Sequence, residues 1–198
     1  MTQFFSQISQ ILIFIMIIIS FLYFNGHGNG AHDFSKREET VRINVSSYEK
    51  HLSYKQDPAN SKQGDIMILK LEKKVKLNKN IKTITIPTKP EEIKVNTVCS
   101  IAGWGLLESN GTTSSKLMEA EVKIMNKTHC KKPFRDYIAS SMLCVHGHGG
   151  SCKGDSGGPL VCGDTAVGVS SFSRIRDQAD VYTEISAFLV WIQNVTKS

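Results

Sequence analysis

The stretch SCKGDSGGPLVC, Ser151 to Cys162, sets one serine, Ser156, among glycines and then runs into a short apolar segment closed by a cysteine. A serine hydroxyl is a weak nucleophile until a base takes its proton and donors stabilise the oxyanion that forms. The flanking glycines let the backbone turn so that two N–H groups can face the same point as the serine oxygen. These are the features that a nucleophilic serine needs.

Outward from that stretch the chain reads as short strands separated by turn residues. Val41–Val45 alternates strictly, Ile66–Leu69 is a buried-type run, and Ile81–Ile86 alternates again. Val98–Ala102, Ala120–Ile124, Leu160–Cys162 and Ala166–Ser171 continue the series, which predicts an all-β fold rather than βαβ units. The tail differs. Ile185, Phe188, Leu189 and Ile192 recur at helical spacing, so an amphipathic helix is expected over Ile185–Val195.

Four motifs, in this order along the chain, carry a resemblance to a known family. DIMILKL (Asp65–Leu71), CSIAGWG (Cys99–Gly105), SCKGDSGGPLVC and VYTEISAFLVWIQ (Val181–Gln193) resemble the trypsin/chymotrypsin-like serine proteases, within them the granzyme and mast-cell-protease branch. NGAHDFSKREE (Asn29–Glu39) is granzyme-like as well, so the resemblance runs from residue 29 to residue 196. It implies two antiparallel β-barrels, the first incomplete, with a C-terminal α-helix. It divides the chain into an apolar leader and junction, 1–28, and an N-terminally truncated protease domain, 29–198.

The resemblance also implies roles. Ser156 is the expected nucleophile, the N–H groups of Gly154 and Ser156 the oxyanion hole, and Asp65 the acid that orients a histidine. Asp65 and Ser156 lie 91 residues apart, against about 93 in the chymotrypsin-type triad. Asp155 is expected to pair with the new N-terminus that activation cleavage creates. Cys99 is expected to bond Cys162, and Cys130 to bond Cys144, leaving Cys152 as a buried free thiol or an intermolecular link.

The same template puts the histidine roughly 45 residues before the aspartate, which here is position 20, inside an apolar run. No TAAHC-like motif and no I-[IV]-G-G start occur in the sequence. His32 sits in a Gly-Ala-His context that, in the granzyme branch, belongs to a strand after the catalytic histidine. His27 falls in the Gly/Asn-rich junction, while His51 and His129 read as loop residues. His146 and His148 form an H-x-H pair in a loop at the pocket rim, read as solvated rather than metal-binding. No cofactor and no metal are expected.

For the substrate pocket, Ser171, Phe172 and Ser173 resemble the strand that pairs with substrate backbone and walls the pocket. Gly150 stands where trypsins carry a pocket-floor aspartate. Asp180, in Ala179-Asp180-Val181-Tyr182-Thr183, replaces the family's usual glycine. A carboxylate there suits a Lys or Arg side chain of the substrate; the competing reading is a narrowed pocket.

Composition and charge speak to compartment and partners. The chain has 198 residues, 40% hydrophobic, with a net charge of +6 and five cysteines. Ile8–Phe24 is apolar and suits the core of a signal peptide, with an uncleaved membrane anchor as the alternative. Four N-x-[ST] sequons, at Asn44, Asn110, Asn126 and Asn194, fit a secreted or granule glycoprotein. Six lysines between Lys70 and Lys82 face one acid, Glu72, and offer a surface for sulfated glycosaminoglycans or a merely solvated face. Nucleic-acid binding is excluded by the lack of basic–aromatic interleaving. Two functional classes follow: a granzyme-like serine endopeptidase, inactive as written because its histidine is absent, or a pseudoprotease that binds polyanions or protein partners.

Overall fold

In a computed structural model, the residues described are 33, 35, 43–54, 63–78, 81–106, 111–131, 134, 136–147, 155–174 and 179–197. Among the described residues eight strands form two sheets. Strands β1 (Val45–Lys50) and β2 (Met67–Leu71) make a two-stranded antiparallel sheet. Strands β3 (Val98–Gly103), β4 (Met118–Ile124), β5 (Met142–His146), β6 (Pro159–Cys162), β7 (Thr165–Arg174) and β8 (Ala179–Glu184) close a barrel in the order β3-β4-β5-β8-β7-β6. The expected all-β architecture is present, and β1–β2 is what the described residues show of the first barrel.

The barrel closes because its inward positions are apolar. Cys99, Ile101, Val122, Ile124, Leu143, Val145, Leu160, Val167 and Tyr182 form one buried cluster drawn from all six strands. Closure leaves no edge strand exposed for unwanted pairing. Disulfides Cys99–Cys162 and Cys130–Cys144 are both formed. The first ties β3 to β6; the second ties the short helix α1 (Lys127–Cys130) to β5.

The tail is helical as the periodicity predicts, a 3₁₀ turn over Ile185–Phe188 followed by α2 (Leu189–Lys197). Ile185, Phe188, Leu189 and Ile192 pack with Ile66, Ile68 and Ile86, so the helix bridges the β2 side of the molecule and the barrel. Two strand expectations need correction. Among the described residues the first strand begins at Val45, with Ile43 and Asn44 outside it, and its residues are mostly exposed, so periodicity carried no signal for it; Val41 and Arg42 lie outside the described residues. Ile81–Ile86 forms no strand: Ile81 and Ile86 are buried individually, and Thr85 makes one isolated bridge to Thr165. Strands β5 and β8, buried almost throughout, lack the alternation that announces a half-exposed strand.

Among the described residues no helix is long and apolar enough to cross a membrane. The apolar run Ile8–Phe24 lies outside the described residues.

Candidate active site

Asp65 sits half-buried two residues before β2 begins and is held from two strands of the barrel. The Ser171 hydroxyl donates to its Oδ2 at 2.5 Å, and the Thr183 hydroxyl donates to its main-chain oxygen at 2.8 Å. Both donors are buried, Ser171 at 5% and Thr183 at 1% exposure, so water cannot freely replace them. Ser171 reaches Asp65 because of a register shift: Ser170 pairs with Tyr182 and Phe172 with Val181, leaving Ser171 as the extra residue. A bulge of this kind re-aims a side chain beside a site.

Ser156 is exposed on a turn that the same strand fixes. The Gly157 N–H donates to Ser170 O at 2.8 Å, and the Ser170 N–H donates to Gly158 O at 2.9 Å. Gly157 has φ 85°, which a residue with a side chain adopts only under strain. Consecutive residues of β7 therefore do two jobs. Ser170 pins the turn carrying Ser156, and Ser171 pins the carboxylate of Asp65.

Asp155, next to the serine, is also anchored. The Gly105 N–H donates to its Oδ1 at 2.7 Å. A methyl group on Gly103 or Gly105 would collide with that carboxylate, so the glycines of Gly103-Trp104-Gly105 are required by close approach. Gly158 N–H closes the turn onto Asp155 O at 2.8 Å.

Of the residues expected to form the substrate pocket, Phe172 and Ser173 fall on β7 and Asp180 on β8. Phe172 is half-buried, its ring edge-on to buried Phe134 with centroids 5.4 Å apart. Ser173 is exposed and lies directly across from Asp180, which also pairs with Val145 on β5. Asp180 is 4% exposed, and alternation along β8 puts it on the same face as buried Tyr182. Gly150, Cys152 and Gly154 lie outside the described residues, as do His27, His32 and His148.

The described histidines divide. His129 is exposed on α1, and His146 is exposed at the end of β5 opposite Lys123. His51 is in a loop as expected, but it is half-buried, its ring packing edge-on against Phe188 and Trp191. Nearby, burial first and the negative charge of Asp65 second push the Tyr54 phenol up. No cluster of potential metal ligands occurs among the described residues. Sequence reasoning had assigned no role to Thr183, Ser170 or the two glycines that cradle Asp155. Their only signal was polarity inside a buried strand, or glycine inside CSIAGWG.

The arrangement holds a carboxylate and a serine in fixed relation, as acyl transfer through a base between them requires. The Trypsin family profile matches residues 26–192. Granzyme-like protein 2 of Rattus norvegicus is 38% identical over 172 residues, covering 85% of this chain and 68% of that protein. Granzyme E of Mus musculus is 37% identical over 178 residues, with 85% and 69% covered. Cathepsin G of Homo sapiens is 32% identical over 174 residues, with 85% and 67% covered. The solved "Structure of GrC" superposes with a TM-score of 0.76 at 29% identity, covering 85% of this chain and 76% of that one. Neuropsin, described as a serine protease expressed in the limbic system of mouse brain, gives 0.75 at 29% identity, with 84% and 76% covered. On these matches, the chain belongs to the trypsin family of chymotrypsin-like serine endopeptidases, in the granzyme branch.

Proposed function

We propose that this chain carries the acid and nucleophile of a granzyme-like serine endopeptidase, and that as written it lacks the base. Ser156 is the nucleophile, Asp65 the orienting acid, and the N–H groups of Gly154 and Ser156 the oxyanion hole. The observation that carries the reading is the adjacency of Ser170 and Ser171, which tie the Ser156 turn and the Asp65 carboxylate to one two-residue stretch. In the complete reaction a histidine takes the Ser156 proton as Oγ attacks the scissile carbonyl. The oxyanion collapses, the leaving amine takes the proton, and water then hydrolyses the acyl-enzyme.

Removing the base of such a triad lowers kcat on the order of 10⁶. The purified 198-residue chain is expected neither to hydrolyse peptide esters nor to take a fluorophosphonate label at Ser156. Turnover together with labelling at Ser156 would refute the assignment of this chain as inactive.

Asp180, which stands on β8 across from Ser173 in place of the family's usual glycine, supports a substrate preference for Lys or Arg. A peptide panel on a version supplied with a catalytic histidine tests this. Turnover of aromatic substrates with none of Lys or Arg ones would sink it and favour the narrowed pocket.

The pseudoprotease reading has its own support. The side chains of Lys70, Lys73, Lys74, Lys76 and Lys82 are all exposed, while the one acid among them, Glu72, accepts a hydrogen bond from Asn44. Such a face suits sulfated glycosaminoglycans by counterion release. Salt-sensitive heparin binding, lost when these lysines are changed to glutamine, is the expected result. The secreted or granule location and the glycoprotein character fit three exposed sequon asparagines, Asn44, Asn126 and Asn194. A peptide-N-glycosidase shift on material from a secretory host tests both.

A further inference from the structure

His51 lies at the junction of three elements, and no step of the reaction uses it. Its ring stands edge-on to Phe188 of the 3₁₀ turn, with centroids 4.8 Å apart, and to Trp191 of α2 at 5.1 Å. Its backbone N–H donates to Ile66 O at 3.1 Å, and its carbonyl accepts the Tyr54 N–H at 2.9 Å. Ile66 and Gly64 flank Asp65, and the Ile66 N–H donates to Gly64 O at 2.7 Å. The histidine thus touches the C-terminal helix with its ring and the Asp65 segment with its backbone.

The ring's nitrogens fix which form fits. The Ser53 N–H donates to Nδ1 at 3.2 Å, and Ser53 Oγ lies 2.7 Å from the same atom. An Nδ1 that accepts carries no proton, so the neutral ring fits this site. The imidazolium would turn an N–H toward an N–H. Burial pushes the His51 pKa down from its ordinary value of 6.5, in the same direction.

We propose that His51 is a positioning residue for Asp65: in its neutral form it joins the segment carrying Asp65 to the C-terminal helix, and protonation of the ring undoes that joint. The proposal rests on the reading of Asp65 as the orienting acid. The titratable groups tied to His51 through its backbone are Tyr54, whose N–H its carbonyl accepts, and Asp65, next to Ile66, whose carbonyl accepts the His51 N–H. The helix presents only the Phe188 and Trp191 rings, its charges, Glu184 and Lys197, lying at its two ends. The Asp65 carboxylate accepts the Ser171 hydroxyl.

The test uses the full chain with Trp104→Phe, which leaves Trp191 as its single tryptophan. Trp191 emission is expected to fall along one titration with its midpoint below 6.5 as the imidazolium forms beside the indole. Over the same range the hydrogen-exchange protection of the His51 and Ile66 amides is expected to fall by up to about tenfold per pH unit, the limit for one linked proton. Both responses are expected to vanish in His51→Phe, which keeps a ring, and in His51→Asn, which serves if the phenylalanine variant does not fold. A titration that survives in both variants overturns the proposal. So does a Trp191 titration with unchanged protection at Ile66, which would leave His51 a helix contact only. Neither readout depends on catalysis, so loss of the Asp65 assignment in an activity assay would be recognised separately.

Discussion

Replacing Ser171 by alanine tests the organisation of the site most directly. The change removes a hydroxyl that donates to the Asp65 carboxylate at 2.5 Å. Hydrogen bonds to charged groups contribute about 1.5–3 kcal/mol, neutral ones about 0.5–1.5 kcal/mol. Ser171 is buried but Asp65 is only half-buried, so water recovers part of the loss and the expected cost is about 1.5–2 kcal/mol. For a chain of this size that is roughly 3–8 °C in Tm. Thr183→Val, which removes a hydroxyl donating to the neutral main-chain oxygen of Asp65, should cost less, about 0.5–1.5 kcal/mol. Urea unfolding at constant m value measures both. The decisive comparison is a double-mutant cycle with Asp65→Asn, which keeps an acceptor but removes the charge. The coupling between Ser171→Ala and Asp65→Asn is expected to be about 1 kcal/mol. If Ser171→Ala costs as much in the Asp65→Asn background as in the parent chain, the bond is not charge-assisted and the reasoning fails.

Other consequences follow from the same contacts. Lys127 donates to Glu184 Oε2 and to Ala139 O, both at 2.8 Å, while the Glu184 side chain is 8% exposed; Lys127→Met should cost about 2–3 kcal/mol, and adding Glu184→Gln should restore part of it in the same urea assay. Gly103→Ala should displace the Asp155 carboxylate and destabilise by about 1–3 kcal/mol, read as loss of the hydrogen-bonded shift of the Gly105 amide in an NMR spectrum; an unmoved amide would contradict it. Removing Cys99–Cys162 by a double alanine change should cost more than removing Cys130–Cys144, about 4 against about 3 kcal/mol, because the closed loops span 63 and 14 residues. Calorimetric melts rank the pair. The His51 contribution to stability is whole above its unfolded pKa of 6.5 and is lost as pH falls below that value toward the lower folded pKa, with a slope of at most about 1.4 kcal/mol per pH unit. The Tm of His51→Phe should therefore fall less between pH 7.5 and 5 than that of the parent chain.

Much of this was legible in the residues themselves. The all-β architecture, the terminal helix and both disulfides follow from short alternating runs, the Ile185–Ile192 spacing and the family motifs. The errors have a common physical cause. Ile81–Ile86 alternates, yet its isoleucines are buried one by one beside a single bridge, because alternation reports which face is apolar and not whether a ladder partner exists. Strand β1 forms with five of its six residues exposed, held by its register to β2 rather than by a buried face.

The sequence by itself determined the family and the lack of a recognisable histidine motif, and it singled out Ser156 and Asp65 as candidates, because these depend on residue types in a fixed local order. Only the tertiary structure decided how Asp65 and Ser156 are tied to each other. That depends on a one-residue bulge at Ser171, on Thr183 reaching across from β8, and on two glycines making room for Asp155. A bulge arises where two strands 10 and 6 residues long must stay in register while the sheet bends, and neither strand alone encodes which residue will be left over. The same holds for His51. Its place in the chain reads as a loop, and only the docking of Phe188 and Trp191 against it, more than 130 residues away in sequence, turns it into a joint.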